Sequence, residues 1–143
     1  MAQAVAEGAG TLNGTETILF VEDDTAARQL ASITLESLGY TVLAASDGMK
    51  AAEIFQENRG SAVDLLLTDL RIPGLDGRTL ARMLSVEVSN LRVLYITGYQ
   101  QISSEIRDGP AETGALLHKP FTPDALARAV RSALDANDQS SAA

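Results

Sequence analysis

Short apolar runs alternate with longer amphipathic segments along this chain. The runs are ILFV (18–21), TVLAA (41–45), VDLLLT (63–68), LRVLYIT (91–97) and ALLHK (115–119). They lack the strict polar alternation of a half-exposed strand, and near-continuous apolar strands are what a parallel sheet covered on both faces requires. The intervening segments carry helical spacing. Over 25–38, Ala27, Leu30, Ala31, Thr34, Leu35 and Leu38 follow the i, i+3, i+4, i+7 pattern of a buried stripe, and Gly39 stops it. Over 47–58 the stripe is Ala51, Ala52, Ile54 and Phe55, closed by Arg59 and Gly60; over 75–86 it is Leu80, Met83 and Leu84. The last helix is expected over 122–136. Thr122 is placed to cap it, Pro123 suits its first position, and Leu126, Ala129, Val130, Ala133 and Leu134 share one face. Between 99 and 113, Gly109 and Pro110 leave room only for a short helix.

Five strands alternating with five helices predict a doubly wound α/β domain built on a five-stranded parallel sheet. The expected domain spans residues 16–136, with 1–15 and 137–143, rich in Ala, Gly and Ser, as disordered tails. A complete protein of this length would have no output domain.

Composition restricts the function. The 143 residues suit one domain and contain no cysteine, which leaves no disulfide framework or thiolate metal site and suits a reducing compartment. No apolar run approaches the ~20 residues needed to span a bilayer, and the N-terminus lacks the pattern of a secretory signal, so a cytoplasmic protein with no direct membrane contact is expected. A net charge of -8 argues against a nucleic-acid partner.

In open parallel sheets, function collects beyond the carboxyl ends of the strands. The first run is followed by Glu22, Asp23 and Asp24, the third by Asp69, while the fourth ends in Thr97 and Gly98 and the fifth in Lys119 and Pro120. The second leads only into Ser46, Asp47 and Gly48. Singly, each has an ordinary explanation: acids favour helix N-termini, Asp forms turns, and a Lys is a solvated charge. Together they place several carboxylates on one rim, an arrangement that is costly without a cation. Oxygen ligands without His or Cys select Mg²⁺ or a similar ion. A Lys ammonium and a Thr hydroxyl suit the oxygens of a phosphoryl group, which makes Asp69 a candidate nucleophile.

With ILFVEDD, LLLTDLRIPGLDG, YITG and HKPF in these positions, the chain resembles the receiver domain of two-component response regulators from residue 17 to about 136, which implies the flavodoxin-like strand order 2-1-3-4-5. T-G-Y at 97–99 and HKPFTPDALARAV are most similar to receivers of hybrid sensor kinases and some stand-alone receivers. The resemblance implies that Asp69 is the phosphoacceptor, that Mg²⁺ (or Mn²⁺) binds the side chains of Asp23 and Asp69 and the Arg71 carbonyl, and that Glu22 acts through metal-bound water. Asp24 falls one place beyond the acidic pair. Thr97 and Lys119 would contact the phosphoryl oxygens, and the Lys119–Pro120 bond would be cis, a form Pro alone permits cheaply.

The implied partner is a sensor histidine kinase or a histidine phosphotransfer protein, with this chain either separate or part of a hybrid kinase. It would catalyse only its own phosphorylation and dephosphorylation, and it contains no nucleotide-binding glycine loop. His118 sits beside Lys119 in a strand, where alternation turns it from the site, and is expected to be structural.

One position departs from the family. Signalling there usually couples the threonine to an aromatic three places before the lysine, and that position is Leu116. Tyr99 is a candidate substitute or gate. Competing readings are a phosphate sink, a docking receiver that is never phosphorylated, an Asp-nucleophile phosphatase and a flavodoxin-like cofactor binder. Arg71 stands where the phosphatase needs its second Asp, and acidic EDD replaces the phosphate loop of the cofactor binder.

Overall fold

The structure, a computed structural model, describes residues 12–58, 63–72, 75–88, 90–98 and 114–142. Strands β1 (Thr17–Val21), β2 (Thr41–Ala45), β3 (Leu65–Asp69), β4 (Arg92–Thr97) and β5 (Gly114–His118) form one parallel sheet in the order β2-β1-β3-β4-β5. Helices α1 (Thr25–Ser37), α2 (Gly48–Glu57), α3 (Gly77–Glu87) and α4 (Pro123–Ala142) cover its two faces.

Alternation along the strands divides the core in two. Leu19, Val21, Leu66, Val93 and Tyr95 point to one side and pack with Phe55 of α2 and Leu80 and Leu84 of α3. Ile18, Phe20, Leu65, Leu67, Leu94 and Ile96 point to the other and pack with Leu35 of α1 and Leu126 and Val130 of α4. β1 and β3 are nearly all buried, as central strands flanked on both faces must be, whereas edge strand β2 is buried only at Ala45.

Side-chain caps open all four helices, relieving N–H groups that the first turn leaves unpaired. Ala27 N–H donates to Asp24 at 2.8 Å, Lys50 N–H to Asp47 at 2.8 Å, Thr79 N–H to Asp76 at 2.9 Å and Ala125 N–H to Thr122 at 3.0 Å. The Asp76 cap moves the start of α3 to Gly77 from the expected 75. At the far end of α1, Gly39 takes φ 106°, the left-handed conformation that favours glycine.

Several expectations are corrected. Leu30 and Met83, placed on buried stripes, are 62% and 46% exposed. α1 buries a narrower stripe through Ala31 and Leu35 and leaves Leu30 on its flank. α4 continues past 136 to Ala142, into residues read as a tail, because no Pro or Gly intervenes to stop it. Attachment to the domain also begins before residue 16. Gly14 N–H donates to the Leu38 carbonyl at 3.1 Å, and Arg131 of α4 reaches the Asn13 carbonyl at 3.0 Å and Glu16 at 2.7 Å. Four helices are present among the described residues, and the short helix expected within 99–113 lies outside them.

One glycine holds α3 against the end of β3. A Cβ at Gly77 would run into the backbone carbonyl oxygen of Asp69 and crowd the Leu70 Cα and Thr68 Cγ2, each at 3.2 Å. Gly77→Ala favours the helix locally yet must push this backbone aside, and a loss of about 3 kcal/mol is expected. Urea unfolding measures it; unchanged stability would show that α3 moves away freely.

Candidate functional site

Strand register builds the site. Val21 is the partner of Thr68 across β1 and β3, so Glu22 and Asp69, the next residues in each, emerge side by side at the carboxyl edge. Thr97 is the partner of His118 across β4 and β5, and Lys119 N–H donates to the Thr97 carbonyl at 2.9 Å. The strand order reverses direction between β1 and β3, which makes this edge the switch point of the sheet.

Glu22, Asp23 and Asp69 each offer a carboxylate oxygen, and these lie within 4.8 Å of one another. Glu22 and Asp69 are buried and Asp23 is exposed. The Lys119 ammonium lies 3.2 Å from Asp69 Oδ2 and 3.4 Å from Glu22 Oε1. Asp24 turns away to cap α1, and its N–H donates to Glu22 Oε2 at 3.1 Å. Thr97 is buried at the tip of β4, with its hydroxyl 3.3 Å from the Gly98 carbonyl. The Lys119–Pro120 bond is cis.

Burial pushes the Asp69 carboxyl up to about 7; hydrogen bonding with Glu22 and the charge of Glu22 push the same way, and Lys119 offsets only part. Burial pulls Lys119 down, but the charges of Asp69 and Glu22 outweigh it and the ammonium is held above its ordinary value. Three carboxylates facing one ammonium are short of positive charge. A hard divalent cation with oxygen ligands fits that deficit and this donor set.

Arg71 is exposed in the bend two residues after Asp69. His118 is exposed at the end of β5. Leu116 is half-buried, the cross-strand partner of Tyr95, and packs on the core beneath α2 and α3. Tyr99 lies outside the described residues.

Two features went unread in the sequence. Arg28 of α1 donates from Nη1 to the Glu22 carbonyl at 2.7 Å, a contact hidden in sequence because a lone Arg on an amphipathic helix reads as a solvated charge. A groove of about 360 Å³ also opens beside the site, lined by Leu30, Ala31 and Thr34 of α1, by Phe121 and Leu126, and by Glu22 and Lys119.

Residues 18–131 match the response regulator receiver domain. The chain belongs to that family. This receiver is 36% identical over 133 residues to the sensor kinase CckA of Brucella abortus, covering 92% of this chain and 14% of that protein. It is 34% identical over 118 residues to sporulation initiation phosphotransferase F of Bacillus subtilis, covering 81% of this chain and 91% of that one. Among solved structures, the receiver domain of the hybrid histidine kinase CckA is similar with a TM-score of 0.67 at 36% identity, over 82% of this chain and 98% of that one. A receiver protein from Sinorhizobium medicae WSM419 gives a TM-score of 0.74 at 31% identity, over 86% and 97%. The receiver thus spans a small part of the sensor kinase and nearly the whole of the phosphotransferase. As a receiver domain of two-component systems, it is a signalling module rather than a conventional enzyme. Among the described residues, no helix is long and apolar enough to cross a membrane.

Proposed function

We propose that this receiver accepts a phosphoryl group on Asp69 from a phosphohistidine in a sensor kinase or a histidine phosphotransfer protein, and later releases it to water. The observation that carries this reading is the position of Asp69: a carboxylate at the switch point, beside an acidic pair and 3.2 Å from a lysine ammonium. An Asp69 carboxylate oxygen attacks phosphorus as the phosphorus–nitrogen bond breaks, and that electron pair returns to the imidazole. Attack by water on the acyl phosphate then yields inorganic phosphate and restores the carboxylate.

Asp23 and Asp69 would hold Mg²⁺ or Mn²⁺ through their side chains, Arg71 through its carbonyl, and Glu22 through a water. When bound, the ion neutralises the carboxylates and draws charge from the phosphoryl oxygens. Asp69 must lose its proton before it can attack. The Lys119 ammonium, already aimed at Asp69, would transfer its contact to a phosphoryl oxygen, and the Thr97 hydroxyl would donate to another. A cytoplasmic location agrees with a chain free of cysteine.

The relatives support both settings, a separate receiver like the sporulation phosphotransferase and a piece of a larger kinase. Leu116 favours a relay or phosphate-sink role over an aromatic switch, since an aliphatic side chain packed beside Tyr95 has no polar group to exchange partners. Incubation with acetyl phosphate and Mg²⁺ should add one phosphoryl group by intact mass, labile to hydroxylamine. Mg²⁺ binding with no adduct from acetyl phosphate or from a phosphorylated donor protein would leave only a docking role.

A further inference from the structure

We infer that Arg28 is a positioning residue for the metal-binding acidic pair and acts through the backbone on either side of Asp23. The inference rests on the functional reading above. Of the three clustered carboxylates, Glu22 and Asp69 are fixed by burial, whereas Asp23 is exposed and no core packing holds it. Its place is set by its two peptide bonds. The carbonyl before it, that of Glu22, accepts the Arg28 guanidinium at 2.7 Å. The N–H after it, that of Asp24, donates to the Glu22 carboxylate at 3.1 Å. Glu22 N–H is also taken, by the Ala45 carbonyl at 3.0 Å. Both main-chain groups of Glu22 are therefore held from neighbouring elements, one from β2 and one from α1. Arg28 stands one turn into α1, whose first turn is fixed by the Asp24 cap, so the guanidinium approaches from a rigid base. A charge-assisted bond to that carbonyl restricts rotation of the peptide that aims Asp23 at the other carboxylates.

The sign of the effect separates positioning from charge. A guanidinium near a cation site opposes cation binding by Coulomb repulsion, so removing it should tighten Mg²⁺ if charge were its only role. Positioning predicts the reverse. Arg28→Met keeps the length of the side chain and removes its donors, and its Mg²⁺ dissociation constant, measured by titration calorimetry on the full chain, should rise about tenfold. Arg28→Lys keeps the charge with a single compact donor group and should fall between the two. A second readout is the rise in melting temperature caused by Mg²⁺ at a fixed subsaturating concentration, relative to each variant's own metal-free form. It should shrink in Arg28→Met, whereas a purely structural loss lowers both forms together and leaves the difference intact.

Mg²⁺ affinity in Arg28→Met equal to or tighter than wild type overturns the inference and leaves the phosphoacceptor reading standing. Should Arg28→Met not fold, Arg28→Lys decides, and wild-type affinity in it is equally contrary. Wild-type protein that binds no Mg²⁺ removes the metal from the functional reading and the inference with it.

Discussion

Asp69→Asn is expected to be more stable than the wild-type protein when metal is absent, by a margin that widens as the pH rises from about 4 to about 7 and is constant above. Burial, with Glu22 beside it, pushes the Asp69 carboxyl from 3.8 up to about 7 in the folded protein. A carboxyl raised on folding adds stability that is fully present below its unfolded value and is lost as the pH climbs to the folded one. Asn cannot ionise and escapes that loss. Linkage sets a ceiling of ~1.4 kcal/mol for each tenfold difference in proton affinity between the folded and unfolded chain, and a margin of ~2 kcal/mol at pH 8 is expected. For a domain of this size that is a rise of about 5 °C in melting temperature.

Divalent metal should reverse the order. Mg²⁺ at free concentration c stabilises whichever form binds it by RT ln(1 + c/Kd), and Asn in place of Asp69 removes one of its ligands. Thermal melts from pH 5 to pH 8, with a chelator and with Mg²⁺, test both halves. A margin independent of pH would mean that folding leaves the Asp69 carboxyl at its ordinary value and that burial beside Glu22 does not oppose its ionisation.

Lys119→Ala is expected to retain Mg²⁺ binding while phosphorylation slows by about 100-fold. The ammonium sits between Asp69 and Glu22 at 3.2 and 3.4 Å and is the cation that the carboxylates hold in the metal-free site. A divalent ion takes over that neutralisation, so the variant should bind Mg²⁺ as tightly as the wild type or more so. It does not replace a donor aimed at a separate phosphoryl oxygen, and loss of one such donor typically lowers rates by ~100 to 1,000-fold. Solvent reaches Lys119, so the stability effect should be only ~1 kcal/mol. Rates of adduct formation from acetyl phosphate at saturating Mg²⁺ measure the effect, and a wild-type rate would reduce Lys119 to a counter-ion of the metal-free state.

Much of this structure was legible in the chain because the central strands are flanked on both faces. Their apolar runs, ILFV and LLLT, stand out without reference to any neighbour. Their ends then placed Glu22, Asp23, Asp69, Thr97 and Lys119 on one edge, since parallel strands share a direction. What depended on side-chain conformation was not legible. Helical spacing could not say that α1 buries Leu35 but leaves Leu30 on a groove wall, because the width of a buried stripe is set by the neighbouring helix. Nor could it show Arg28 bending back to the Glu22 carbonyl, or Tyr95 lying across from Leu116, a pairing fixed by strand register. The end of α4 differs from the expected 136 because the Ser- and Ala-rich sequence that follows contains no helix breaker. Asp69's raised carboxyl follows from burial, which no local motif encodes.

The central claim is that Asp69 carries the phosphoryl group, and identification of the modified residue tests it most directly. Protein phosphorylated by acetyl phosphate with Mg²⁺ is reduced with borohydride, which converts an aspartyl phosphate to homoserine, then digested and sequenced by mass. Homoserine at position 69, absent without the phosphodonor, is the predicted result. Phosphate on a hydroxyl side chain, or reduction at Glu22 or Asp23 with Asp69 intact, would contradict the assignment.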